Sequence, residues 1–276
     1  MEFKTDYHIH SNYSDGTFSI PELIKKFKNE GYDEISITDH DGMEGVREAI
    51  QLGKDYKIQV ISGVEFSTVY NGTELHLLGY KFDLENTSIV QKCAELKAAR
   101  HDRNVRLLAK LEELGYKLDM AELESMSKGA YVGKPNIARM LVSKGYAADY
   151  DEVFNSEKFF EHPEIKAIKK QKMDTTEAIR LVNEAGGLAV LAHPGKIKGL
   201  GKTDSAEFKA AFETAVLELK RAGLKGLEVW YSSHTEDEVN YFGMVAAKYH
   251  LHMTTGSDFH GEDIVPAYTV KREYVR

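Results

Sequence analysis

His8 and His10 stand one residue apart in "DYHIHSNYSDGT", and Asp15 follows them inside Ser-Asp-Gly. Imidazole and carboxylate together are ligands for divalent metals of the zinc, manganese and iron type. The run "FKTDYHIH" carries the β-formers Phe3, Tyr7 and Ile9, and the turn-rich "SNYSDG" ends it. In a strand, side chains at i and i+2 leave the same face. His8 and His10 therefore present two rings to one side, at the strand's C-terminal end. They read either as a metal-binding pair or as two half-buried polar residues, and the pair alone does not decide.

Other residues of the same chemistry recur at comparable places. Asp39 and His40 end "EISITDH", Glu65 ends "IQVISGVE", His76 lies in "ELHLLGY", His193 ends "LAVLAH", and Asp258 and His260 close "HMTTGSDFH". Taken singly, each has a plain structural reading; Asp39 could cap the next helix and Asp258 could be a turn residue. Six of the 11 histidines, however, fall at or near predicted strand ends. In a βα barrel those ends share one face, where active sites assemble. A set rich in imidazole and carboxylate, without thiolate, suits a catalytic rather than a structural metal.

The elements that must position these residues alternate as strand and helix. Helices are predicted over "PELIKKFKNEG", "GMEGVREAIQLGKDY", "TTEAIRLVNEAGG", "SAEFKAAFETAVLELKRAG" and "EDEVNYFGMVAAKYH", with strands between them. "KIQVISGVEFST" and "ELHLLGYKF" flank Asn71-Gly72, a strong hairpin signal. Short links in this rhythm predict an α/β fold around parallel strands. From about Leu84 to Lys172 the rhythm stops and only helix patterns remain, including one long helix ending at Gly115. The expected organisation is an α/β domain over 1–83 and 173–276, with a helical insertion over 84–172.

With 36 basic and 44 acidic side chains the net charge is -8, which argues against binding long nucleic acid through its phosphates. A small anionic substrate remains open, because metals and a few arginines can reverse the sign locally. The single cysteine, Cys93, excludes an intramolecular disulfide and reads as a packed thiol. No membrane-length apolar run or signal-peptide pattern is present, so a soluble cytoplasmic protein is expected.

The motifs "HIHSNYSDG", "TDHD", "GVE", "AHP" and "GSDFHG", in that order, resemble the series of the polymerase and histidinol phosphatase (PHP) superfamily of metal-dependent phosphoesterases. The insertion resembles the branch with TrpH-like and nucleoside 3′,5′-bisphosphate phosphatase members. The resemblance implies a distorted (β/α)7 barrel holding two or three divalent ions (Mn, Zn or Fe). Carried over, one ion would be held by His8, His10, Glu65 and Asp258; a second would share Glu65 and add His76 and His193; a third would use Asp15, His40 and His260. Asp39 would support the site by a hydrogen bond.

Clustered divalent ions suit phosphoester hydrolysis, through in-line attack of a metal-bridging hydroxide on a phosphate monoester. Glu65 and His193 would serve this step, and His234 in "YSSHT" would give a proton to the leaving group or bind phosphate, unless it is a solvated loop residue. Arg100 and Arg103, at i and i+3, read as a grip for a second phosphate or as two solvated helix residues. "GKPN" stands where the branch has Gly-Arg-Pro-His, so Lys134 keeps the charge without the planar fork and Asn136 lacks the imidazole. The expected substrate is a small phosphorylated metabolite, foremost a nucleotide such as a 3′,5′-bisphosphate or an AMP-like compound. A histidinol-phosphatase type, a short-RNA 5′-3′ exonuclease and a non-catalytic metal-stabilised module are the alternatives.

Overall fold

A computed structural model describes residues 3–126 and 132–261; the last part of the expected α/β domain, 262–276, and residues 127–131 of the expected insertion lie outside it. The chain opens β1 (Thr5–Ile9), α1 (Ile20–Asn29), β2 (Glu34–Ile37), α2 (Val46–Tyr56) and β3 (Gln59–Ile61), and the three strands form a parallel sheet in that order. Helix α1 starts where the sequence says it should. Ser19 and Glu22 form a capping box and Pro21 sits in the first turn. Its Leu23, Ile24 and Phe27 pack with Ile9, Ile35 and Ile37 of the sheet.

A second sheet has the order β6-β4-β5-β7-β8-β9. Its strands are β4 (Gly63–Tyr70), β5 (Thr73–Tyr80), β6 (Met173–Asp174), β7 (Leu188–Leu191), β8 (Gly226–Tyr231) and β9 (His252–Gly256). The Asn71-Gly72 hairpin forms as expected, with both residues at positive φ, 47° and 81°. One expectation changes. Strand β5 runs antiparallel to both β4 and β7, so the strands are not uniformly parallel. The expected single strand "KIQVISGVEFST" is also split at Ser62: β3 stays with the first sheet and β4 joins the second. Gly63 makes the crossing possible, because a Cβ there would lie 2.1 Å from Ser36 Oγ and 2.5 Å from the Ile37 carbonyl.

Between the two sheets run two single bridges, Ile9 to Phe259 and His40 to Glu65. The first joins the C-terminal ends of β1 and β9, and the second joins the end of β2 to the start of β4, where Glu65 is the third residue.

The long helix α3 (Thr87–Glu113) is followed by α4 (Met120–Met126), α5 (Lys134–Ser143), α6 (Tyr150–Asn155) and α7 (Pro163–Lys166). Gly115, at φ 94°, follows α3 in the left-handed region that favours glycine. Helices α3 to α7 enclose their own apolar cluster, with Leu107, Leu111, Ile137, Leu141 and Phe159 at its centre. Helices α8 (Thr175–Glu184), α9 (Ala206–Arg221) and α10 (Glu236–Lys248) cover the second sheet through Ile179, Phe208, Phe212 and Phe242. No helix among the described residues is long and apolar enough to cross a membrane.

Candidate metal centre

Nine side chains, drawn from separate places in the sequence, meet in one cluster; most lie at or past strand C-terminal ends, whereas Glu65 is the third residue of β4 and His76 the fourth of β5. His8 Nε2 lies 3.3 Å from Glu65 Oε1 and 3.4 Å from Asp258 Oδ1. His10 Nε2 lies 3.3 Å from Glu65 Oε2 and 3.2 Å from Asp258 Oδ1. His76 Nδ1 and His193 Nε2 approach Glu65 Oε1 at 2.8 and 3.0 Å, and His40 Nδ1 approaches Glu65 Oε2 at 2.8 Å. Asp15 faces His260 Nε2 at 3.3 Å and His40 Nε2 at 3.7 Å. Glu65, fully buried, is the hub.

Three sets place their ligand atoms within 4.8 Å of one another: His8, His10 and Glu65; His40, Glu65 and His76; His10, Asp15, His40 and His260. The grouping differs in detail from the one the resemblance implied. His40 faces both Glu65 and Asp15, while His193 and Asp258 touch the cluster without completing one of these sets.

The residues fit a cation. His8 Nε2, His10 Nε2, Asp15 Oδ1 and Glu65 Oε2 are buried and make no hydrogen bond. Such groups are costly to leave unsatisfied, and a bound cation would complete them. Their neighbours orient them. His10 Nδ1 lies 3.3 Å from Ser14 Oγ, and Ser14 donates to Asp39 at 2.5 Å. Asp39 also accepts from the backbone N–H and hydroxyl of Ser11. It thus holds the loop that carries His10 and stays out of the cluster itself. His260 Nδ1 meets the Asp258 carbonyl at 2.8 Å.

Burial opposes charge throughout the centre, yet attraction between the groups prevails at most of them. Glu65 is held well below the carboxylate range against burial by His40, His76 and His8. His10 rises to about 10 against burial, through its attraction to the Asp258 and Glu65 carboxylates. At His40 burial prevails and the ring is pushed down.

Two clefts meet at the cluster. One, of about 560 Å³, passes His193 and the loop bearing Lys196 and Lys198. The other, of about 700 Å³, runs from Asp15, His40 and His76 to Arg100, Arg103 and Lys134. The arginines are 3% and 8% exposed, so they are not solvated helix residues. Arg100 donates to Asp41, which also takes Lys170 at 2.5 Å and accepts the Ser67 N–H at 2.7 Å. It is therefore not an independent phosphate grip. The Lys134 ammonium lies 4.8 Å above the Phe160 ring, and burial, with Arg103 nearby, pushes its pKa down. Asn136, in place of the branch's His, accepts the Gly133 N–H and caps α5.

His234 has both ring nitrogens engaged by the backbone. Its Nδ1 donates to the Val229 carbonyl at 2.9 Å, and its Nε2 accepts the Gly195 N–H at 3.1 Å. Burial pushes its pKa down, which suits a neutral ring with both nitrogens engaged. It fixes the turn after His193 and has no proton free for a leaving group.

Several residues escaped the sequence reading. Lys169, Lys170 and Lys172 line the basic cleft, and "KAIKKQK" was a visible signal for them. Tyr231, which donates to Asp258 Oδ2 at 2.8 Å, sits in the apolar run "GLEVWY", where nothing marks it out.

The PHP domain model matches residues 6–210. A 5′-3′ exoribonuclease of Haemophilus influenzae is 29% identical, over 94% of this chain and 91% of its own. A phosphoribosyl 1,2-cyclic phosphate 1,2-diphosphodiesterase of Eggerthella lenta is 30% identical, over 93% and 94%. A 3′,5′-nucleoside bisphosphate phosphatase of Chromobacterium violaceum is 28% identical, over 92% and 86%. Among solved structures, an amidohydrolase from Chromobacterium violaceum with bound sulfate and no metal superposes with a TM-score of 0.85 at 26% identity, over 97% of this chain and 91% of that one. With the match running from ahead of His8 to beyond His193, the chain belongs to the PHP domain family and is a phosphoester-hydrolysing enzyme.

Proposed function

We propose that this chain removes a phosphate monoester from a small metabolite carrying a second anionic group, foremost a 3′,5′-bisphosphate nucleotide. The observation that carries this reading is the continuity of the second cleft, from Asp15, His40 and His76 to Arg103, Lys134 and Lys172. A phosphate at the cluster end leaves a basic wall for another. The two sheets are taken together as the distorted barrel, and α3 to α7 as a cap on its substrate side.

His8, His10, Asp15, His40, Glu65, His76, His193, Asp258 and His260 would hold two to three divalent ions, of manganese, zinc or iron. Bound there, such ions would neutralise phosphoryl charge and acidify a water. The chain's own part is positional. Asp39 and Ser14 aim His10, and Tyr231 aims Asp258. Lys196 Nζ, 3.8 Å from Asp258 Oδ2 at the cleft mouth, supplies a cation for the reacting phosphate or its leaving oxygen. Binding energy from the basic wall would orient the scissile phosphate.

A second reading has support from the way the two clefts share His40, Gly72, Glu74 and His76. A short 5′-phosphorylated RNA could lie across that junction and lose nucleotides from its end. One assay separates the two. With manganese supplied, the first reading expects phosphate release from 3′,5′-bisphosphates and little mononucleotide release from oligoribonucleotides. The reverse would establish the second. Absence of both activities, and of aryl phosphate hydrolysis, would remove both.

A further inference from the structure

Glu228 is fully buried at the cluster's edge, and no step above uses it. Its two oxygens are divided between two residues of the centre. Oε1 lies 3.0 Å from His8 Nδ1, and Oε2 accepts the backbone N–H of His193 at 2.7 Å. The His8 and His193 rings stack at 5.6 Å, 21° from parallel. His193 also holds an uncommon backbone conformation, φ 25° and ψ 62°, so its N–H needs a fixed acceptor.

Two features of the surrounding chain serve this contact. The pairing of β8 with β9 shifts register between Glu228 and Trp230. Leu227, Val229 and Trp230 pack outward on the helix-covered core, while Glu228 and Tyr231, three apart, both reach the centre. A regular strand would send residues three apart to opposite faces. The second feature is Gly256, where a Cβ would lie 2.2 Å from Glu228 Oε1 and 2.3 Å from the His8 Cβ. Any larger residue there would collide with the pair.

We infer that Glu228 is a positioning residue for the metal centre: it fixes His8 as the tautomer protonated on Nδ1, leaving the Nε2 lone pair for a metal, and pins the His193 turn with its other oxygen. This rests on the metal-centre reading. A histidine ligand that donates its other N–H to a carboxylate is held in tautomer and angle and made more basic, and loss of that partner typically costs ten- to a hundredfold in metal affinity. Glutamine at 228 can serve only one side. If its carbonyl keeps the His193 N–H, its NH2 faces His8 Nδ1 and favours the tautomer protonated on Nε2.

The test uses the full chain, stripped of metal and titrated with zinc against a chromophoric chelator. The wild type should bind zinc, and Glu228→Gln should weaken the site containing His8 by about ten- to a hundredfold. The second measurement is the 15N–1H spectrum of the histidine rings in zinc-loaded wild type, with His8 assigned by its absence in His8→Gln. His8 should carry its proton on Nδ1 and none on Nε2. Unchanged affinity in a folded Glu228→Gln, or a His8 proton on Nε2, would overturn the inference and leave the metal centre standing. Wild type that takes up no zinc would overturn both. If Glu228→Gln does not fold, the wild-type spectrum alone decides.

Discussion

Lys170 Nζ lies 2.5 Å from Asp41 Oδ2, a carboxylate next in sequence to His40 and also engaged by Arg100. Two cations from the segment over α3 to α7 and its return are thus fastened to one buried anion just past β2. Asp41 is held at about 2, against burial, by Lys170 and Arg100. Asp41→Ala would leave both cations without their common counter-charge in a poorly hydrated place. The expected loss is about 3–5 kcal/mol in urea unfolding. A loss under about 1 kcal/mol would mean that water already satisfies them.

Arg103 should act on the substrate rather than on the metals. Arg103→Ala is expected to lower kcat/KM for a 3′,5′-bisphosphate nucleotide by about ten- to a hundredfold, the weight of one charge-assisted contact. Hydrolysis of an aryl phosphate with no second anion should change little. Equal losses on both substrates would assign Arg103 to the fold or to the reacting phosphate.

Glu65 and His260 should separate in metal analysis. Five histidines converge on the Glu65 carboxylate by one ring nitrogen each, His8, His10 and His193 at 3.0 to 3.3 Å and His40 and His76 at 2.8 Å. Glu65→Gln is therefore expected to empty more than one position and abolish turnover. His260→Ala should lose about one equivalent. If Glu65→Gln keeps full metal content, the hub assignment fails.

His234→Gln should leave turnover within about tenfold of wild type and keep the shape of its pH profile, since the ring only braces the turn at Gly195. Loss of a general acid would instead cost a hundredfold or more and remove the basic limb of the profile. Pre-steady-state and steady-state rates across pH discriminate the two.

Cys93 should resist alkylation. Burial pushes its thiol to about 12, so almost no thiolate exists at pH 8. Iodoacetamide is expected to label the chain only after denaturant is added; fast labelling of native protein would show that α3 opens near its start.

Much of the centre was legible because its chemistry is local: metal-type side chains recur just past predicted strands, and strand ends share a face. The sheet arrangement was less so. The turn at Asn71-Gly72 reveals that β4 and β5 are antiparallel, but nothing local says that β7 will insert between the antiparallel β5 and the parallel β8. The surroundings of His234 were hidden for the opposite reason. A loop histidine shows its chemistry in sequence, whereas the Val229 carbonyl and Gly195 N–H that occupy it are backbone groups present at almost every position. The Arg100–Asp41 contact joins residues 59 apart and left no trace in spacing.

Helix α3 has 27 residues, about 40 Å at about 1.5 Å per residue. Its first half gives Ile89, Cys93 and Leu96 to the core of the second sheet, and its last turns give Leu107, Leu108 and Leu111 to the cluster of the smaller helices. Arg100, Arg103 and Asn104 occupy the stretch between. The helical segment is consequently no removable cassette. A chimera that exchanges it at the sequence boundary near Leu84 would strip three apolar anchors from the catalytic half, whereas a junction after Leu96 would leave them in place. Exchange at that point would carry the two buried arginines with the transplanted segment, and a graft would have to restore the Arg100 and Lys170 contacts to Asp41, beside His40, and the Arg139 contact to the Asp15 carbonyl to keep the centre in place.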